Sequence, residues 1–64
     1  MAGAGGREVL FEFTRIGNAV KVTAIDPVTG TEASIVGPAS VGETILQNNA
    51  LRKLDYVLGK KDGG

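Results

Sequence analysis

Few side chains in this sequence could carry out catalytic chemistry. Ser34 and Ser40 offer hydroxyl nucleophiles, but a serine needs a neighbouring base, and the chain contains neither histidine nor cysteine. Glu8 and Glu12 are the one pair of carboxylates on a single face of a predicted strand. Four residues of extended chain separate them by about 13 Å, beyond the ~5–9.5 Å that glycoside hydrolysis requires. The sequence therefore predicts a protein that is not an enzyme.

Metal and cofactor sites are not expected either. Without cysteine there are no thiolate ligands or disulfides, and without histidine the usual nitrogen ligand of zinc is missing. Asp26 and Glu32 flank one turn, but a hard-cation site needs about six or more oxygen ligands. The glycine-rich segment 3–6 precedes a strand and no GK[ST] follows it, so it is not a phosphate loop.

Length and charge limit the remaining functions. The 64 residues make one domain, predicted over residues 7–59, with disordered tails at 1–6 and 60–64. Seven basic and seven acidic residues cancel, which leaves no long-range attraction for nucleic acid or an anionic membrane. Residues 1–6 do not resemble a signal peptide, and no segment approaches the ~18 apolar residues of a membrane helix. A cytoplasmic location without membrane contact is expected.

Two alternating segments predict a β-hairpin. Residues 7–15 and 18–26 alternate apolar and polar side chains, and Gly17-Asn18 supplies a tight turn between them. Closing the hairpin on that turn sets Phe11 opposite Ala24, whereas closing it one residue earlier sets Phe11 opposite Val22. Both registers direct the same apolar face inward, with Val9, Phe11, Phe13, Val20, Val22 and Ala24.

A second turn introduces a third strand. Proline and glycine in the segment 26–30 favour a turn that pairs Asp26 with Thr31. Residues 31–36 then continue the inward face with Ala33 and Ile35, and Gly37-Pro38 ends the strand.

The remaining residues predict one helix. Ser40 and Glu43 match a capping box, so Ser40 is expected at the N-cap. Gly59 is expected to end the helix in a left-handed conformation. The apolar side of the helix carries Leu46, Ala50, Leu51, Leu54, Val57 and Leu58.

These elements predict an α+β fold of order β-β-β-α. It is a three-stranded antiparallel β-meander with the C-terminal helix packed on one face of the sheet, over Val9, Phe11, Phe13, Val20, Val22 and Ile35. The other face of the sheet, here called the open face, has no cover.

Two surfaces are candidates for binding. One is the helix stripe, which consists of Ile45, Asn49, Arg52 and Tyr56 and lies opposite the apolar side of the helix. Tyrosine and arginine are common at interfaces, although Ile45 and Tyr56 could instead pack along neighbouring loops. The other is the open face, which carries Leu10, Ile25 and Val36 among polar residues. In one register Leu10 lies opposite Ile25, and exposed sheet edges could join a second copy; an ordinary solvated face is the alternative.

The pattern therefore favours a small non-enzymatic interaction protein that binds a protein partner or itself. The alternative is binding of nucleic acid or a small anion through the basic helix residues Arg52, Lys53 and Lys60. Small sheets that bind RNA stack bases on exposed aromatic side chains, whereas both phenylalanines here are expected to face the helix.

Four segments together resemble a known family. They are REVLFEF at 7–13, VKVTAIDP at 20–27, IVGPA at 35–39 and ALRKL at 50–54. The chain is similar over residues 7–60 to a family of small uncharacterised bacterial proteins, found mostly in alphaproteobacteria. The resemblance implies a bacterial cytoplasmic setting and carries no established activity.

Overall fold

The alternating segments form antiparallel strands, and the apolar repeat after them forms a helix. A computed structural model describes the backbone of residues 8–63 and the side chains of residues 8–60, so the predicted tail at 1–6 lies outside the described residues. The elements are β1 (Leu10–Ile16), β2 (Ala19–Ile25), β3 (Glu32–Pro38), a 3-10 helix (Ala39–Val41) and α1 (Glu43–Gly63). The sheet order is β1-β2-β3 with both pairs antiparallel, which confirms the predicted β-β-β-α fold.

The first hairpin closes on Gly17-Asn18. Gly17 has a φ of 59°, a left-handed conformation that glycine adopts without steric cost. Phe11 lies opposite Ala24 and Phe13 opposite Val22, so the register that closes on this turn is confirmed and the one a residue earlier is wrong.

The second turn is organised by Asp26. Its carboxylate accepts a hydrogen bond from Val28 N at 2.9 Å, and its carbonyl accepts one from Gly30 N at 2.8 Å. Gly30 takes the predicted left-handed conformation with a φ of 76°. Asp26 N donates to Thr31 O at 2.9 Å, which confirms the predicted start of the β2–β3 pairing.

The core lies between α1 and the two strands nearest to it. Its buried members are Val20, Val22, Ala24, Ala33, Leu46, Ala50 and Leu54. Small residues at Ala24, Ala33 and Gly37 let the helix approach the sheet closely, and Leu46 packs directly on Gly37. Because apolar area removed from water contributes about 25 cal/mol per Å², this layer is the main source of stability.

Phe13 does not join this core. The prediction that it faces the helix as a core residue is wrong, since 39% of its surface is exposed. A helix about 10–12 Å wide covers roughly two strands spaced ~4.8 Å apart. The short link from β3 holds α1 over β3 and β2. The end of β1 that carries Phe13 therefore extends beyond the helix, whereas Val9 and Phe11 are half-buried and still pack against the core.

The helix begins later than the capping-box pattern predicts. Ser40 is exposed within the 3-10 helix, and among the described residues no side-chain hydrogen bond caps that helix. Leu46 N donates to Gly42 O at 3.2 Å, which makes Gly42 the N-cap of α1. The predicted N-cap at Ser40 is wrong, because Gly42 turns the chain with a φ of 102° after the short 3-10 segment.

A pair of substitutions checks this boundary. Ser40→Ala should change the free energy of unfolding by less than about 0.5 kcal/mol, as exposed surface changes do. Gly42→Ala should cost at least about 1 kcal/mol, because an L side chain is strained at a positive φ. Urea denaturation followed by circular dichroism measures both. A loss of about 1 kcal/mol for Ser40→Ala would restore Ser40 as the cap.

The end of the helix also differs from the prediction. Gly59 lies inside α1, and the helical backbone continues through residues 60–63, which the sequence assigned to a tail. The predicted left-handed cap at Gly59 is wrong. A glycine inside a helix costs only about 1 kcal/mol relative to alanine, and the lysines after it are good helix formers.

Candidate interaction surfaces

The helix stripe faces away from the sheet. Ile45 is 54% exposed and Tyr56 is 66% exposed, and Asn49 and Arg52 are exposed beside them. The alternative in which Ile45 and Tyr56 pack along neighbouring loops is therefore wrong. The four side chains are available together on the outer side of α1.

The basic residues next to the stripe make contacts within the chain. Lys53 Nζ donates to Ser34 O on β3 at 2.8 Å. Lys60 Nζ lies 5.8 Å from the centre of the Tyr56 ring, within range of a cation–π interaction. The described residues that line a shallow depression there all belong to α1, and they include Asp55. An anion at this position would therefore meet a negative charge as well as a positive one.

The open face contains the predicted apolar island at one end. Leu10 lies opposite Ile25; Leu10 is 45% exposed and Ile25 is half-buried. Next to this pair the hydroxyls of Thr23 and Ser34 are 2.7 Å apart and hydrogen-bonded. Val36 is 63% exposed beyond that polar row, so it is separate from the island.

A second apolar row lies at the other end of the open face. Ile16, Ala19 and Pro38 are aligned across the three strands, beside Val36. Ile16 is 55% exposed. Ile16 was not among the predicted surface residues, because the first predicted strand ended at Arg15. Extending the period-two alternation by one residue would have found it.

The two predicted surfaces lie on opposite sides of the molecule, because α1 covers the other face of the sheet. They do not form one site. The strand β1 instead combines exposed apolar side chains from both faces of the sheet, with Leu10 and Ile16 on the open face and Phe13 on the face of the helix. The exposure of Phe13 could have been expected from the sequence, because one helix is too narrow to cover three strands.

The described part of the chain contains neither a membrane-spanning helix nor a cluster of metal ligands. No helix there is long and apolar enough to cross a membrane. No group of three or more histidine, cysteine, aspartate or glutamate side chains within residues 8–60 is placed to hold a metal ion.

Comparison with known proteins places the chain in one family. No curated protein and no solved structure shows significant similarity to it. Residues 6–61 match the family described as "Domain of unknown function (DUF6898)". Because the match spans almost the whole sequence, the chain belongs to this domain family of unknown function.

Proposed function

We propose that this is a small non-enzymatic interaction protein that binds a protein partner or itself through β1. The observation that carries the proposal is that β1 lies at the edge of the sheet and exposes large apolar side chains on both faces. They are Leu10 at 45%, Ile16 at 55% and Phe13 at 39% exposed. Large apolar side chains exposed along an edge strand favour association with another chain, since their burial contributes about 25 cal/mol per Å².

The non-enzymatic part of the proposal is supported by the chemistry of the side chains. The sequence has neither histidine nor cysteine to act as a general base or a reactive thiol. The hydroxyl of Ser34 is hydrogen-bonded to that of Thr23 at 2.7 Å. The expected bacterial origin and cytoplasmic location stay predictions, and cell fractionation tests the second.

A protein partner is favoured over nucleic acid or a small anion. Of the three predicted anion-binding residues, Lys53 donates to the main chain of β3 and Lys60 lies over Tyr56. Arg52 alone of the three makes neither kind of contact in the described part of the chain. Salt separates the two functions, because counterion release weakens nucleic-acid binding steeply while apolar association changes little.

Site-specific photo-cross-linking in the native cell tests the proposal. The photoreactive amino acid p-benzoyl-phenylalanine replaces Phe13 in one variant. In the control variant it replaces Val28, which is 86% exposed in the turn before β3. We expect cross-linked protein from position 13 in at least about tenfold excess over position 28, because hydrophobic patches mark interaction sites. Substitution at Tyr56 tests the helix stripe in the same way. Equal, background cross-linking at all three positions would contradict the proposed function.

A further inference from the structure

The outer edge of β1 carries main-chain groups that no described strand pairs. In an antiparallel sheet the central strand bonds its two neighbours through alternate residues. Asp26 N donates to Thr31 O, so even-numbered residues of β2 bond to β3 and odd-numbered residues bond to β1. Those odd-numbered residues lie opposite even-numbered residues of β1, so the even-numbered residues of β1 direct their main-chain groups toward β2. The N–H and C=O groups of Phe11, Phe13 and Arg15 therefore point away from the sheet.

The opposite edge of the sheet is protected in ways that β1 is not. On β3, Lys53 Nζ donates to the outward carbonyl of Ser34 at 2.8 Å, and Pro38 has no N–H to offer. Lysine and proline are the residues with which natural proteins prevent unwanted pairing of edge strands. On β1 the corresponding basic residue, Arg15, donates through Nε to Gly17 O in the hairpin at 2.8 Å. Of the two edges formed by the described strands, the edge of β1 is thus the less protected.

We propose that β1 pairs antiparallel with β1 of a second copy, about a two-fold axis at Phe13. This inference rests on the proposed function and names its partner. The outward main-chain groups of the two strands then meet each other. The pairs across the new edge are Phe13 with the partner's Phe13, Leu10 with the partner's Ile16, Glu12 with the partner's Thr14, and Phe11 with the partner's Arg15.

Charge and apolar complementarity select this register. An axis at Glu12 would set the two Glu12 carboxylates directly opposite each other, which is destabilising. An axis at Phe11 would set Leu10 against the partner's Glu12, and an axis at Thr14 would set the carboxylate of Glu12 against the partner's Ile16. With the axis at Phe13, the exposed side chains Leu10 and Ile16 pair twice, and no like charges are opposed.

The same arrangement covers the part of the sheet that α1 leaves bare. A two-fold axis that continues the sheet is perpendicular to it, so both helices lie on the same face. Each helix covers β2 and β3 of its own copy. The half-buried Phe11 and the exposed Phe13 of both copies then lie in the trough between the two helices. The aromatic side chains that α1 leaves uncovered in one copy thus pack against those of the other copy.

Sedimentation equilibrium of the purified full chain, from micromolar to near-millimolar concentration, tests the dimer. Ile16→Lys should raise the dimer dissociation constant by about tenfold or more, since the change occurs twice in the interface. The matched control is Val36→Lys, which alters an apolar residue of the open face on β3 that is slightly more exposed than Ile16. It should leave the dissociation constant within about twofold, since Val36 lies on β3, which takes no part in the proposed pairing of β1. Circular dichroism confirms that both variants are folded.

The register is tested by exchanging an apolar pair for a charged one. Leu10→Lys and Ile16→Glu should each weaken the dimer, whereas the double variant sets opposite charges against each other in both pairs and should recover most of the association. If the double variant forms a weaker dimer than either single variant, the proposed register is wrong. A parent protein that is monomeric throughout, or a dimer lost in Val36→Lys and kept in Ile16→Lys, would overturn the proposed pairing. Cross-linking of position 13 to a different protein in cells would still support the proposed function.

Discussion

Leu54→Ala is expected to cost about 2–5 kcal/mol of the free energy of unfolding. Leu54 is fully buried in α1, within the cluster that joins the helix to β2 and β3. Removing its branched end loses the transfer free energy of the apolar atoms and leaves a cavity that the neighbours fill only in part. Total stabilities of about 0.05–0.15 kcal/mol per residue give this chain roughly 3–10 kcal/mol. The loss is therefore a large part of the total, and at the low end of this range the variant would be unfolded at room temperature.

Urea denaturation followed by far-ultraviolet circular dichroism measures this loss. Protein concentration is held constant between variants, because a dimer would make stability depend on it. Ile45→Ala is the matched control: it shortens an aliphatic side chain on the same helix, but Ile45 is 54% exposed and should lose less than about 1 kcal/mol. Parental stability in Leu54→Ala, or equal losses in the two variants, would mean that another side of α1 faces the sheet.

The strands and turns could be predicted from the sequence because their signals are local. The alternation of side chains fixed which face of each strand is apolar, and Gly17 supplied the positive φ of the first turn. The register of the second pair followed from the turn that Asp26 and Gly30 form, and the structure confirms it. The hairpin register stayed open because both alternatives bury the same face, and only the observed pairing of Phe13 with Val22 decides between them.

The boundaries of the helix could not be predicted in the same way. Ser40 and Glu43 satisfy a capping-box pattern, but the pattern does not show that a separate 3-10 turn and Gly42 lie between strand and helix. Gly59 is an ordinary stop signal, yet the helix continues past it. In both places a glycine had two permitted conformations, and the surrounding structure selected one.

The candidate surfaces were predicted in part. Exposure of Leu10, Ile45 and Tyr56 followed from strand and helix periodicity. The exposure of Phe13 depends on where one helix lies above three strands, which is a property of tertiary packing and not of the local pattern. The unprotected edge of β1 is likewise visible only when the sheet order and the contact of Lys53 with β3 are known.

Gly37→Ala is expected to destabilise the protein by about 1–3 kcal/mol, although alanine is otherwise acceptable in a strand. A Cβ atom added at Gly37 would lie 2.5 Å from Leu46 Cδ2, closer than side-chain carbons approach each other. Leu46 is only 3% exposed, so its side chain cannot move aside without displacing the core around it. The glycine is therefore required by the close approach of α1 to β3.

Gly59→Ala is the matched control for this prediction. No atom beyond its chain neighbours and the helix backbone lies within 4 Å of a Cβ atom added at Gly59, and the residue is inside α1. This substitution should stabilise the protein by about 0.5–1 kcal/mol, because glycine inside a helix is less favourable than alanine. A destabilised Gly59→Ala variant would show that the helix ends at Gly59 in a left-handed conformation.

A second change at Leu46 separates a steric cause from a general effect of losing glycine. Leu46→Val removes the δ carbons that the new methyl group would meet, and by itself it should destabilise the core moderately. Combined with Gly37→Ala, it should recover about 0.5–3 kcal/mol relative to the sum of the two single losses, as residues in direct contact do. Denaturation of the parent, both single variants and the double variant completes the cycle. Strictly additive losses would mean that Leu46 is not what excludes a side chain at Gly37, and that α1 packs on β3 elsewhere.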